Sequence, residues 1–192
     1  MKTIVLNGSP KKSGTIASLL TFVTEGMGSN DQTEWVNVYE LSMKPCIGCM
    51  KCRETDTCVL PSDDAQVVGQ KIKEADNLII GTPTYWGNMS AQLKMLFERN
   101  VPVFMGETGR GLPSPRQKGK SAVIVTACTT PYPFNYIFRE SRGAVQSVKE
   151  ILKYGGYKIK GIIVKPGTKN NKTVSAKLIR KANKIGSKCC SK

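Results

Sequence analysis

Strand-like and helix-like segments alternate five times along this chain, and that alternation limits its fold more than any other feature. Lys2–Leu6, Asn77–Ile80 and Ser121–Thr126 are short apolar runs that read as buried strands. Glu34–Val38 and Tyr157–Val164 alternate and read as two more. Helical patterns cover Thr15–Met27, the stretch after Pro61-Ser62-Asp63-Asp64 up to Ala75, and a segment capped by Ser90 and running to Arg99. Two more span Asn135–Tyr154, stopped by Gly155-Gly156, and Val174–Gly186. Val101–Lys120, rich in glycine and proline, is expected to be an irregular excursion or flap. Strand–helix alternation implies a mostly parallel sheet with helices on both faces. Ligands in such sheets sit past the carboxyl ends of the strands, at the switch in strand order. The loops after the first, third and fourth strands are therefore expected to converge on one edge.

At 192 residues the chain suits a single domain, 1–192, with a cysteine-rich loop at 43–61. No apolar run reaches membrane-spanning length, and Met1-Lys2-Thr3 leads straight into a strand rather than a signal peptide. Seven cysteines without secretion signals point to a reducing, cytoplasmic setting and to metal or redox use. The absence of histidine excludes Ser-His-Asp or Cys-His catalysis and any histidine-bound metal. Chemistry falls to a cofactor, to thiols, or to carboxylates and lysines. Net charge is +15, and Ile151–Lys192 holds twelve Lys or Arg and no Asp or Glu. Such a face suits an acidic protein, anionic ligands or nucleic acid, or is simply solvated. No nucleic-acid motif is present.

Cys46, Cys49, Cys52 and Cys58 are spaced C-x2-C-x2-C-x5-C among Lys51, Arg53, Glu54 and Asp56. Charged neighbours argue against a core role, and crowded thiolates repel unless a cation compensates them. The spacing nearly repeats a ferredoxin run and favours an iron–sulfur cluster. Zinc competes, although structural zinc sites more often pair two knuckles across a longer gap. Loop one, Gly8–Thr15, joins a strand to a helix with hydroxyls and two lysines, which suits a phosphate or a plain turn. It lacks the Gly-Lys-Ser/Thr of a P-loop and the dinucleotide fingerprint. Loop two, Pro83–Met89, offers Tyr85 and Trp86 to a planar ring, a lid or a subunit contact. Loop three, Ala127–Pro131, completes the rim, and its Cys128 has no base to activate it.

Gly8-Ser9-Pro10-Lys11-Lys12-Ser13-Gly14 resembles the phosphate loop of the NADPH-dependent FMN reductases of the flavodoxin-like superfamily. Thr82–Ser90 is similar to their isoalloxazine loop, and the cysteine run resembles that of the iron–sulfur flavoproteins. The resemblance implies an α/β flavodoxin-like fold, a doubly wound five-stranded parallel sheet of order 2-1-3-4-5. It implies that Ser9, Lys11, Ser13, Gly14 and Thr15 hold the FMN phosphate. Pro83, Thr84, Tyr85, Trp86, Gly87 and Asn88 would border the flavin, with Thr129 and Thr130 opposite. Cys46, Cys49, Cys52 and Cys58 would hold a 4Fe-4S cluster. It further implies electron transfer between FMN and cluster, NAD(P)H as a donor, and a homodimer or homotetramer. The basic tail would suit an acidic carrier such as ferredoxin. The rival readings are an NAD(P)H-dependent flavin or quinone reductase without a cluster, and a non-enzymatic metal or nucleic-acid binding module. One departure stands out: relatives often follow the loop glycine with Asn then Thr or Ser, whereas this chain has Thr15 then Ile16.

Overall fold

Val5, Ile79, Ile80 and Ile124 expose none of their surface, because the strands that carry them are covered on both faces. The computed structural model describes residues 1–28 and 32–189. Five strands pair in parallel: β1 (Lys2–Asn7), β2 (Gln32–Asn37), β3 (Asn77–Pro83), β4 (Ser121–Ala127) and β5 (Lys158–Lys165). Their order is β2-β1-β3-β4-β5, the one the resemblance implies. Four longer helices lie between them, α1 (Thr15–Glu25), α2 (Asp64–Glu74), α3 (Ala91–Arg99) and α4 (Glu140–Gly155), and α5 (Ala176–Ser187) follows β5. Alternate residues of the strands point to two separate cores. Ile4, Leu6, Leu78, Ile80 and Ile124 meet α2, α3 and α4. Val5, Ile79, Val123, Val125 and Ile163 meet α1 and α5. Those two helices cross so closely that a Cβ on Gly186 would lie 2.0 Å from the Val23 carbonyl oxygen.

Several expectations change in detail. Asp63 caps α2 as expected, and Gln66 completes a capping box. Ser90 stands at the start of α3 but does not cap it, since its hydroxyl donates elsewhere. The Asn135–Tyr154 helix is broken: one turn covers Phe134–Ile137, Arg139 takes a left-handed φ of 62°, and α4 starts at Glu140. Within Val101–Lys120, Met105–Glu107 and Pro113–Pro115 pair as a short antiparallel ribbon. Cys189, close to the end of the chain, is buried in the α1–α5 core. Cys190 lies outside the described residues. Among the described residues, no helix is long and apolar enough to cross a membrane.

Candidate functional site

β1, β3 and β4 end side by side, with Asn7 opposite Gly81 and Pro83 opposite Ala127. The loops beyond them enclose a cavity of about 340 Å³. Its first wall is the Gly8–Thr15 loop, which is latched to the sheet. Gly8 N–H donates to the Gly81 oxygen at 2.7 Å, and Ser90 Oγ donates to the Gly8 oxygen at 2.7 Å. A Cβ on Gly8 would stand 2.9 Å from that Gly81 oxygen, so only glycine permits the approach. Ser9 N–H donates to Oδ1 of the buried Asn7 at 3.2 Å, and Lys11 N–H donates to Ser9 Oγ at 3.2 Å. Gly14 then precedes α1 with no side-chain cap and no acid in the first turn. The first amides of α1 and the positive end of its dipole are left to a ligand. Lys12 pairs with Glu40 and holds its carboxyl below the usual range, whereas Lys11 lines the cavity.

The second wall is Pro83, Thr84 and Tyr85. Thr84 N–H donates to the Ala127 oxygen at 2.9 Å, and the Thr84 and Thr126 hydroxyls lie 3.2 Å apart. Tyr85 and Asn88 exchange backbone bonds of 3.0 and 2.9 Å, which curls the loop back on itself. Trp86 sits at φ 51° with its ring fully exposed. The third wall joins Thr129 to Thr168, Lys169 and Lys172 from the loop after β5. Thr168 N–H and Oγ1 each donate to the Cys128 oxygen at 3.0 Å. Burial pushes the Cys128 thiol up and Glu140 pushes it further, which fits a wall residue rather than a nucleophile.

The cysteine loop lies before α2, and its ends are clamped by a buried ion pair. Arg99 is fully buried. It donates to Asp63 at 2.6 and 3.2 Å and to the Lys44 oxygen at 2.7 Å. Asp63 in turn accepts from Lys44 N–H at 3.1 Å. Burial opposes ionisation of Asp63, but Arg99 and the Lys44 and Ala65 amides outweigh it and hold the carboxyl below the usual range. Arg53–Glu107, at 2.6 Å, and Arg116–Asp56 tie the loop to the antiparallel ribbon. Cys46 and Cys49 are exposed, and Cys52 and Cys58 are half-buried. Burial raises the Cys52 thiol, and the Cys58, Cys46 and Cys49 thiols raise it further, so all of them stand within electrostatic reach. As a donor set this suits a soft metal or a cluster. Among the described residues, no three Cys, His, Asp or Glu side chains converge as around a bound ion.

Residues 1–130 match the NADPH-dependent FMN reductase family, more than half of the chain. The chain belongs to this family. An iron–sulfur flavoprotein of Methanocaldococcus jannaschii is 37% identical over 107 residues, 55% of this chain and 55% of that protein. The chain spans about half the length of curated relatives of this kind. A crystal structure of a Streptococcus mutans protein superposes with a TM-score of 0.77 at 20% identity, covering 98% of this chain and 100% of that one. An FMN-dependent NADH-azoreductase from Bacillus anthracis, solved with FMN, gives 0.71 at 16% identity, covering 99% and 97%. At such identities the two structures speak for the fold.

Set against this FMN reductase family, the expected residues divide. Ser9, Lys11, Gly14, Thr15, Pro83, Thr84, Tyr85 and Thr129 surround one cavity. Ser13, Trp86, Gly87, Asn88 and Thr130 do not line it. Sequence reasoning missed Thr168, Lys169 and Lys172. Their signal was a basic turn after the fifth strand, at the same sheet edge as the other loops.

Proposed function

We propose that this FMN reductase family member binds FMN in the carboxyl-edge cavity and exchanges electrons with a 4Fe-4S cluster on Cys46, Cys49, Cys52 and Cys58. One observation carries the flavin half: loops read independently from sequence wall a single cavity whose phosphate end is an uncapped helix with Lys11 beside it. Ser9, Gly14 and Thr15 would hold the phosphate with Lys11, and Lys169 and Lys172 would add positive charge. Pro83, Thr84 and Tyr85 would border the ring with Thr129 opposite, while Trp86, Gly87 and Asn88 shape that wall from outside. Ser13 and Thr130 flank the two ends. Bound flavin supplies hydride chemistry with NAD(P)H and single-electron exchange. A cluster would supply one-electron transfer. Arg99 and Asp63 clamp the ends of the loop, and Cys52 lies within electrostatic reach of the other three thiols, which supports the second half.

Protein purified without oxygen should show flavin absorbance, release FMN on denaturation, and contain about four iron and four sulfide per chain. Colourless protein that takes up no added FMN refutes the reading. A second reading, an NAD(P)H-dependent flavin or quinone reductase without a cluster, is favoured by the sulfurs' lack of convergence. Flavin without iron selects it. The lysine-rich α5 and the following tail suit an acidic carrier such as ferredoxin, so carrier reduction should slow as salt rises. The exposed Trp86 and Tyr85 suit a homodimer or homotetramer contact.

A further inference from the structure

The segment between β4 and α4 leaves five large apolar side chains in solvent: Tyr132, Phe134, Tyr136, Ile137 and Phe138 are each 50–76% exposed. Trp86 joins them, fully exposed. The Phe134 and Phe138 rings stack with centroids 6.1 Å apart, and Arg142 lies 4.5 Å from the Tyr136 centroid. Gly143, in the first turn of α4, lies so close to the Trp86 loop that a Cβ on it would stand 2.0 Å from the Gly87 oxygen. Tyr85 and Asn88 exchange backbone bonds on either side of Trp86, so its ring is held out by a closed turn. The six side chains thus share one surface, beside the cavity wall that ends at Tyr85.

Its size and composition name the occupant. Side chains of this kind carry about 150–250 Å² each, so their exposed fractions amount to roughly 600–1,000 Å². A monomer rarely leaves that much apolar surface bare, and a stable dimer uses about 800 Å² per partner. Thr82–Leu93 and Ala127–Phe138 hold no Lys, Arg, Asp or Glu, in a chain of net charge +15. Two such chains repel, and they approach at least cost where charge is absent. The lysine-rich α5 packs on the opposite face of the sheet from α4. Tyr, Trp and Phe with Arg, and no Lys, is the composition of a protein contact. An anionic membrane would ask for lysines around the aromatics.

We propose that a second copy of this chain seats its own Tyr132–Phe138 segment on this surface, in a two-fold contact that covers Trp86 and closes the flavin cavity beyond Tyr85. Trp86, Gly87, Asn88 and Thr130, which do not line the cavity of one chain, then stand at its closed end. Closure of the cavity rests on the flavin reading above, and the contact itself does not.

Sedimentation velocity of flavin-free protein, from about 1 to about 100 μM, should show a dimer at the upper end. Phe134→Ser/Phe138→Ser should sediment as a monomer with an unchanged far-ultraviolet spectrum, since both side chains start in solvent. Tyr154→Ser, on the apolar groove between α3 and α4, is the control for a different face and should stay dimeric. In a Trp35→Phe background Trp86 is the sole tryptophan, and its emission should move to the blue and resist acrylamide as the dimer forms. A monomer at about 100 μM, a dimer that survives Phe134→Ser/Phe138→Ser, a dimer that Tyr154→Ser disperses, or a Trp86 fully quenched in the dimer overturns the contact. Monomers that instead pellet with phosphatidylglycerol vesicles through Phe134 and Phe138 overturn it in favour of a membrane surface. Wild type should hold FMN about tenfold more tightly than the monomeric variant, and equal affinity overturns the closure. If neither takes up FMN, the flavin reading and the closure fall while sedimentation still decides the contact.

Discussion

Replacing Asp63 by Ala should destabilise this protein far more than removing its partner, and the reason lies in which charge is stranded. Arg99 has no exposed side-chain surface, and Asp63 keeps 17%. In Asp63→Ala the guanidinium stays buried with the Lys44 oxygen and the Cys58 thiol but no carboxylate, and its Nε already lacks a partner. Stranding a buried charge costs about 3–5 kcal/mol. The α2 cap and its box are lost with the same carboxylate, for about 1 kcal/mol more. In Arg99→Met the stranded group is the carboxylate, which reaches solvent and retains the Ala65 and Lys44 amides at 3.0 and 3.1 Å. The loss there should be about 1–3 kcal/mol. The double variant should therefore be clearly more stable than the two losses summed. Urea unfolding followed by circular dichroism measures all four corners of the cycle. In a domain of this size each kcal/mol moves Tm by about 2–4 °C, so Asp63→Ala should melt roughly 10 °C or more below wild type. Equal losses in the two single variants, or additive losses in the double, would refute the asymmetry.

Three further outcomes follow from the same geometry. The Asp63 carboxyl is held below its unfolded value of about 4, so its stabilisation is complete above that pH and disappears as pH falls through the folded value. In acid the 44–63 loop should lose hydrogen-exchange protection before β1 and β3 do, and simultaneous loss contradicts this. Gly8→Ala forces a Cβ to 2.9 Å from the Gly81 oxygen and 3.0 Å from Leu93, so it should cost about 1–3 kcal/mol and weaken FMN retention together; unchanged melting speaks against the latch. Lys169→Ala/Lys172→Ala should leave Tm within about 1 °C but lower FMN affinity severalfold and flatten its salt dependence, measured by fluorescence titration.

Which parts of this were legible in the sequence depends on distance along the chain. Apolar runs such as Ile4-Val5-Leu6 and Leu78-Ile79-Ile80 declare buried strands because both faces of the sheet are covered, and the order of elements then places their loops at one edge. Polar partnerships follow no period. Arg99 looks like the last residue of an exposed helix, yet it reaches back 36 residues to Asp63 and 55 to Lys44. Ser90 has the identity of a cap, but the Gly8 carbonyl 82 residues earlier takes its hydroxyl. The Asn135–Tyr154 pattern is continuous in sequence, whereas the chain turns at Phe138–Arg139 so that α4 can meet the Gly87 loop.

Ile16 shows how the two kinds of information combine. Beside a phosphate loop, an isoleucine looks like a lost hydroxyl. In the fold Ile16 is 3% exposed and belongs to the α1–α5 core. Its Cγ2 occupies the space that a Cβ on Gly81 would need, at 2.6 Å. Gly81 also lends its carbonyl to Gly8, so the glycine that admits Ile16 is the one that anchors the loop. A threonine at position 16 would trade that packing for a buried hydroxyl. The bare amides of α1 supply a donor for an anion without that exchange, which leaves phosphate recognition and core packing compatible at one position.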